Sequence, residues 1–368
     1  MPRRLIVLIL TFVIACAPRG QLILDPQAAS VGEVQPVFFG TTREVDEDRT
    51  FGTHRSEITH YGRFDISIPP DRKAGEIKYP PRHSKPNPQV DFLTTAETLF
   101  SNERDFRNNL HRNLIENGGE AVIFVHGFNN NFAEGLYRVA QFSHDLKLPG
   151  TIVHYSWPSA ANPLGYVYDR DSALFARDGL ENLINEVANA GATRILVVAH
   201  SMGAALSMEA LRQTSIRGNK KTLARIGGVI LISPDIDVDV FREQAHAMGK
   251  LPQPFVIFGS NRDKVLRISA GLTGQAARLG SIKDVSSLAD LNVTFLDVSN
   301  FSEGAGHFTL GDSAALLLLM SRIIDINSAF ERDLRSRVGL LPGAILTVQN
   351  ATEIVLAPVG DVAVELTR

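Results

Sequence analysis

From about residue 120 the chain alternates two hydrophobic periods. Apolar runs of strand length recur as "AVIFVHGF" (121–128), "TIVHYSW" (151–157), "RILVVAH" (194–200), "GGVILIS" (227–233), "PFVIFGS" (254–260) and "VTFLDVS" (293–299). Between them lie stretches with helical spacing. Phe132, Leu136, Val139 and Ala140 fall on one helix face between the first two runs, and Leu180, Leu183, Ile184 and Val187 on another between the second and third. Continuous apolar strands alternating with amphipathic helices predict an α/β fold, a mostly parallel central sheet with helices on both faces. Upstream, "PVFFGTT" (36–42) reads as a first strand, and "GRFDISIP" (62–69) alternates Phe64, Ile66 and Ile68 at period two. The polar residues 43–60 read as a surface loop. The proline-rich stretch Pro69–Gln89 reads as irregular, with one short strand over Glu76–Tyr79. Short strand-like runs between Gly343 and Leu366 predict an added C-terminal β-hairpin. With no repeat, low-complexity tract or second pattern, 36–368 is expected to be a single domain with its core over 117–325 and a C-terminal extension over 340–368.

The first residues follow neither period. Arg3 and Arg4 precede the apolar run Leu5–Ala15, which reads as a signal peptide and is too short for the roughly 20 residues that a bilayer span takes. The run ends at Cys16, the single cysteine in the chain. "VIAC" (13–16) resembles a bacterial lipobox, in which the cysteine becomes the first residue and carries acyl chains of the palmitate class. This reading makes 1–16 a lipoprotein signal, 17–35 a short tether, and the protein a membrane-anchored lipoprotein of the cell envelope. Cleavage at the small-residue site Ala15-Cys16-Ala17 would instead release a soluble exported protein. A lone cysteine has no disulfide partner within the chain, and two or more acyl chains give stable attachment.

Composition narrows the function classes. The 368 residues suffice for a large core, 44% of them are hydrophobic, and the formal net charge is −3. That balance argues against a nucleic-acid partner, which a basic excess or stripe would announce. No phosphate-binding loop and no His-Glu-x-x-His pair occurs, so neither metal nor organic cofactor is expected. "DIDVDVF" (235–241) starts like a calcium loop but has Val240 where the glycine belongs and His246 where the closing glutamate belongs.

In a sheet of this kind ligands bind beyond the carboxyl ends of the strands. The residues there are His126-Gly127-Phe128-Asn129 after the first run, His200-Ser201-Met202-Gly203 after the third, and Asp235 and Asp237 after the fourth. Asn261-Arg262-Asp263 follows the fifth run, and Gly306-His307-Phe308 lies past the sixth. A serine, an aspartate and a histidine thus succeed one another at strand ends, in that order. The chain from about 117 to 325 resembles the α/β-hydrolase superfamily. With "VFFGTT" and "VHGFNNNF" added, it is similar to a bacterial branch of mostly uncharacterised esterase-like proteins.

The resemblance implies an α/β-hydrolase fold and a role for each residue. Ser201, in "VVAHSMGAAL", is the candidate nucleophile. Ala199 stands where the usual Gly-x-Ser-x-Gly has its first glycine, and a small side chain meets the crowding of strand and helix there. The alternative for Ser201 is a helix N-cap. His307 is the candidate base, which accepts the serine proton and returns it to the leaving group. Asp263 is the candidate acid, with Asp235 the alternative, since some members of the superfamily place the acid after the preceding strand; Asp297, inside the last strand, is expected to point elsewhere. The backbone N–H groups of Phe128 and Met202 are the candidate oxyanion donors. His126 and His200 read as structural, and Asn129 to Asn131 as a helix cap.

The expected activity is serine-dependent hydrolysis of carboxylic esters through an acyl-enzyme. Only Pro234 to Gln253 separates the fourth and fifth runs, which leaves no room for a full lid and favours an open site for a small-molecule or lipid ester. Thioesters and amides suit the same triad, and a non-catalytic envelope scaffold on the same fold is the competing class.

Overall fold

The computed structural model describes residues 19–46, 50–274, 277–301, 343–348 and 351–356. A single sheet organises them. Its strands are β1 (Glu33–Val45), β2 (Phe51–Ile68), β3 (Leu93–Phe100), β4 (Glu120–Val125), β5 (Thr151–Ser156), β6 (Arg194–His200), β7 (Ile226–Ile232), β8 (Phe255–Gly259), β9 (Val293–Asp297), β10 (Gly343–Val348) and β11 (Ala351–Leu356). They lie side by side in the order β10-β11-β9-β8-β7-β6-β4-β5-β1-β2-β3. The centre from β1 through β5, β4, β6, β7, β8 and β9 to β11 is parallel throughout. Antiparallel pairs close both edges, β1–β2–β3 at one and the β10–β11 hairpin at the other. The expected C-terminal hairpin is therefore present, with its second strand extending the parallel sheet.

The helices are α1 (Glu103–Glu116), α2 (Phe132–Leu146), α3 (Tyr166–Phe175), α4 (Arg177–Asn189), α5 (Met202–Ile216), α6 (Lys220–Leu223), α7 (Val238–Met248) and α8 (Lys264–Leu272). On one face of the sheet, α1 buries Phe106, Leu110 and Leu114, and α4 buries Leu180, Leu183, Ile184 and Val187, in one cluster with α5 and α7. The other face is covered by α2 through Phe132, Leu136, Tyr137, Val139 and Phe142. The central strands are buried along nearly their whole length because both faces are covered.

Four local expectations differ from the structure. Residues 43–60 are not a surface loop; β1 and β2 run through most of them as a long hairpin. From Phe51 to His60 this ribbon is mostly half-exposed on both faces, so the alternation that marks a half-buried strand is missing. No strand forms over Glu76–Tyr79. The edge strand β3 and the helix α1 lie in a region that carried no assigned element. Residues 19–35 do not form a free tether: Gly20 bonds to Glu134, Gln21 to Pro80 and Tyr137, and Ile23 and Asp25 to Thr94, and a 3-10 turn at Pro26–Ser30 leads into β1.

Candidate active site

The carboxyl ends of β4, β6, β7 and β8 bring most of the expected residues together. Ser201 stands between the end of β6 and the start of α5 with φ +53° and ψ −123°. A side chain at positive φ is strained by about 1–3 kcal/mol and persists only where the surroundings enforce it. Here the Ser201 N–H donates to Ile232 O at 2.9 Å, and the Ser201 carbonyl accepts from Asp235 N at 3.1 Å and Ala204 N at 3.0 Å. Strand β7 and helix α5 thus clamp the turn from two sides. Ser201 occupies the cap position of α5, yet its side chain makes no capping bond. The small flanking residues have a visible cause. Ala199 is fully buried, and a Cβ added at Gly203 would overlap the backbone carbonyl of His126.

The β4–α2 loop lies directly against this turn. A Cβ added at Gly127 would come within 2.9 Å of Ser201 Cβ and 2.7 Å of His200 Nδ1. The loop is held from several directions. His126 Nδ1 lies 2.8 Å from Gly127 O, and Asn130 Nδ2 donates to Gly127 O at 3.3 Å and to Phe128 O at 2.9 Å. In a trans peptide the carbonyl and the following N–H point in opposite directions, so fixing the Gly127 carbonyl fixes the direction of the Phe128 N–H. The Met202 N–H is the first of α5 and has no partner within its helix. Asn131 caps α2 by accepting from Glu134 N at 2.9 Å while Glu134 accepts from Asn131 N at 3.0 Å, a reciprocal box. The expected asparagine cap is thus Asn131; Asn129 sits at φ +58°.

Two buried charges that sequence reasoning missed support the same loop. Arg43, fully buried at the end of β1, donates to Asn130 O at 2.8 Å, Gly52 O at 2.8 Å, Ser156 Oγ at 2.9 Å and Ser159 O at 3.2 Å. Burial lowers its pKa to about 10, so it stays charged at neutral pH. Asp169 on α3 accepts from Ser159 Oγ at 2.6 Å, Ala160 N at 2.6 Å and Asn129 N at 3.2 Å. Its pKa is raised, chiefly by burial. At the outer side Arg19 donates to Asn129 Oδ1 and Asn129 O, both at 3.1 Å, and pairs with Glu134 at 2.8 Å. The "R" after "VFFGTT" was the available signal for Arg43, since a cation next to a strand end that heads into the core needs partners there.

The two candidate acids differ in their surroundings. Asp263 is fully buried after β8, where it caps α8 by accepting from Leu266 N at 2.9 Å. Asp235 accepts from Ser269 Oγ at 2.8 Å and pairs with Arg278 Nε at 3.0 Å through Oδ1, and accepts from Tyr166 Oη at 2.9 Å through Oδ2. Burial first, then the neighbouring Asp235 charge, push the Tyr166 hydroxyl up to about 12. The Tyr166 ring meets Phe128 edge-on at 5.7 Å, so the cluster around Asp235 also supports the β4–α2 loop. Asp297 accepts from Ser299 N at 2.8 Å, as a turn-forming side chain does. Asp237 caps α7, which accounts for the calcium-like spacing. His307, the candidate base, and Cys16 lie outside the described residues.

Compared with known proteins, residues 101–322, more than half of the chain, match the model of the family described as alpha/beta hydrolase of unknown function (DUF900). The chain belongs to this family. The family's α/β-hydrolase fold is the one seen here, a parallel sheet covered by helices with a serine on the turn after β6. No curated protein matches the chain significantly. Among solved structures it is similar to esterase B from Lactobacillus rhamnosis, at 15% identity over 59% of this chain and 80% of that one, with a TM-score of 0.34. A fungal esterase from Rhizomucor miehei shares 13% identity over 82% and 86%, TM-score 0.39. An esterase from Pyrococcus furiosus shares 13% over 86% and 96%, TM-score 0.36.

Proposed function

We propose that this α/β hydrolase is a serine hydrolase of carboxylic esters. The observation that carries the proposal is Ser201 at φ +53° with Gly127 packed on it, because strain at a buried turn persists where a nucleophile must be exposed to substrate. Ser201 Oγ attacks the acyl carbonyl while His307 takes its proton. The N–H groups of Phe128 and Met202 receive the developing oxyanion, each such donor being worth about 2.7–4 kcal/mol. His307 returns the proton to the leaving alcohol, and water then releases the acid from the acyl-enzyme. Asp263 orients the imidazole and balances its charge. The partners of Asp235 support this choice of acid, since an arginine, a tyrosine and a serine already engage both of its oxygens. No lid is inserted between β7 and β8, where α7 alone fills the connection, which suits an open site for a small-molecule or lipid ester.

A fluorophosphonate probe tests the reading. Labelling of the wild type and none of Ser201→Ala is expected, and a folded wild type that does not label overturns it. Asp263→Asn should lower kcat by about a thousandfold or more, as loss of a triad acid does, and Asp235→Asn by much less; the reverse order would reassign the acid. For the cellular address we propose the envelope, with Cys16 as the lipidated residue. Among the described residues no helix is long and apolar enough to cross a membrane. Cys16→Ser should move the protein out of the membrane fraction, and unchanged retention there would sink the anchor.

A further inference from the structure

The rim of the Ser201 site carries large exposed apolar side chains on α3 and α8, with exposed cations beside them on α8. Asp235, whose N–H holds the Ser201 carbonyl, joins two helices, accepting from Tyr166 at the start of α3 and from Ser269 on α8. Next to these inward-facing residues stand large apolar side chains turned to solvent: Leu164 at 92% exposure, Val167 at 72%, Ile268 at 64% and Leu272 at 68%. Ile268 and Leu272 are four residues apart and so share one face of α8. The same helix exposes Lys264 and Arg267 and contains no acidic residue, while on α3 the exposed Arg170 and Asp171 offset each other. A helix that exposes apolar and cationic side chains together, with no anion among them, has the pattern of an element that lies on an anionic lipid surface.

A second, independent observation places such a surface on this side. Arg19 is bonded to Asn129, next to the oxyanion residue Phe128, and Asn129 in turn bonds to α3 through Asp169. Cys16 precedes Arg19 by three residues, a reach of at most about 11 Å even if extended. An acyl anchor on Cys16, as proposed above, is tethered by that length to Arg19 and so to the Asn129 side of the molecule.

We propose that the rim formed by Leu164, Val167, Ile268 and Leu272, with Lys264 and Arg267, docks on an anionic lipid bilayer and turns the Ser201 end of the sheet toward it. Docking itself does not depend on the ester-hydrolase reading. What it adds to that reading is the source of substrate, esters held in or at a membrane.

The sole tryptophan, Trp157, is fully buried, so a tryptophan placed on the rim reports alone. In the full-length chain, Leu272→Trp and Val167→Trp should each lose about half or more of their fluorescence on vesicles of phosphatidylglycerol and phosphatidylcholine with brominated acyl chains. Salt at about 0.5 M should weaken the effect by screening the basic residues. Ile216→Trp, at the far end of α5 about 22 Å along the helix from Ser201, should not respond. Absence of quenching at both rim positions, or equal quenching at Ile216→Trp, overturns the proposal. Equal quenching by phosphatidylcholine alone overturns the anionic surface. A blue shift that grows with protein concentration without lipid assigns the rim to a second copy of the chain. Fluorophosphonate labelling, which needs no vesicle, stands or falls separately from all of these.

Discussion

Ser201 is held where a side chain does not want to be. Its φ of +53° sets Cβ against the backbone, and only the bonds from Ile232, Asp235 and Ala204 keep it there. Glycine alone adopts such a conformation at little cost. If the turn exists to present a hydroxyl, removing the hydroxyl should leave the strain, and removing Cβ should relieve it. Ser201→Gly is therefore expected to be more stable than Ser201→Ala by about 1 kcal/mol or more, although glycine loses roughly 0.5–1 kcal/mol to alanine at ordinary positions. Urea unfolding of the two variants measures the difference. Equal stabilities, or a more stable alanine, would mean that the positive φ carries no strain. Asn129 and Ser233 also have positive φ, at +58° and +43°. They lie on the loops after β4 and β7 that flank the serine turn, so three of the five described non-glycine residues at positive φ surround it, Lys147 and Ala161 being the others.

The elements differ in how plainly the chain announced them. The parallel strands β4 to β9 and helices α2 and α4 were legible because burial on both faces, or on one stripe, forces an unbroken apolar run or a clean helical period. Strands β1 to β3 were only half legible. β3 buries its first three residues and exposes most of the rest, and the far half of the β1–β2 ribbon projects beyond the core. An edge or projecting strand keeps its shape through backbone pairing, which leaves no hydrophobic signature. α1 could have been found from Phe106, Leu110 and Leu114, spaced four apart and all buried. The strand-end rule placed Ser201, Phe128, Met202, Asp235 and Asp263 at one end of the sheet, because β-to-α turns in a parallel sheet all open on the same side. What it could not supply was Arg43, Asp169 and Tyr166. These act through partners distant in sequence, as when Arg43 reaches Asn130 and Ser156, and no local pattern encodes such a pairing. The docked segment over 19–25 escaped notice for the same reason, since its contacts are mostly hydrogen bonds of backbone groups to α2 and β3.

The molecule as a whole should be acid-sensitive, and the cause lies beneath the active site. His126 and His154 are buried in a column of rings, with His154 stacked on Phe124 at 5.9 Å, His126 at 5.6 Å from His154, and Trp157 stacked on His126 at 4.9 Å. Burial, reinforced by the Arg43 charge, holds the His126 pKa well below its usual value, and burial lowers that of His154 to about 3. Both rings are therefore neutral when folded, while in the unfolded chain they bind protons near pH 6.5. Between that value and the depressed folded values the unfolded state carries more protons, so stability falls as pH falls. Each histidine contributes a slope of about 1.4 kcal/mol per pH unit, and the pair about 3. Half-buried His60, whose pKa is also lowered by burial, acts in the same direction. Above about pH 7.5 all three are neutral in both states and contribute no slope. Burial works to raise the pKa of Asp145, but its bonds to His144, Arg72, Gly75 and Gln141 outweigh burial and hold it far below the usual carboxylate range. That group adds a loss only below about pH 4, where a free carboxyl begins to protonate. Urea unfolding at pH 7, 6 and 5 tests the window that belongs to the histidines, and a flat profile there would contradict the assignment. In His154→Phe the slope should fall by about 1.4 kcal/mol per pH unit, since one titrating ring is gone. Activity should fall with stability, because His126 also holds the Gly127 carbonyl, and through it the N–H of Phe128, the proposed oxyanion donor.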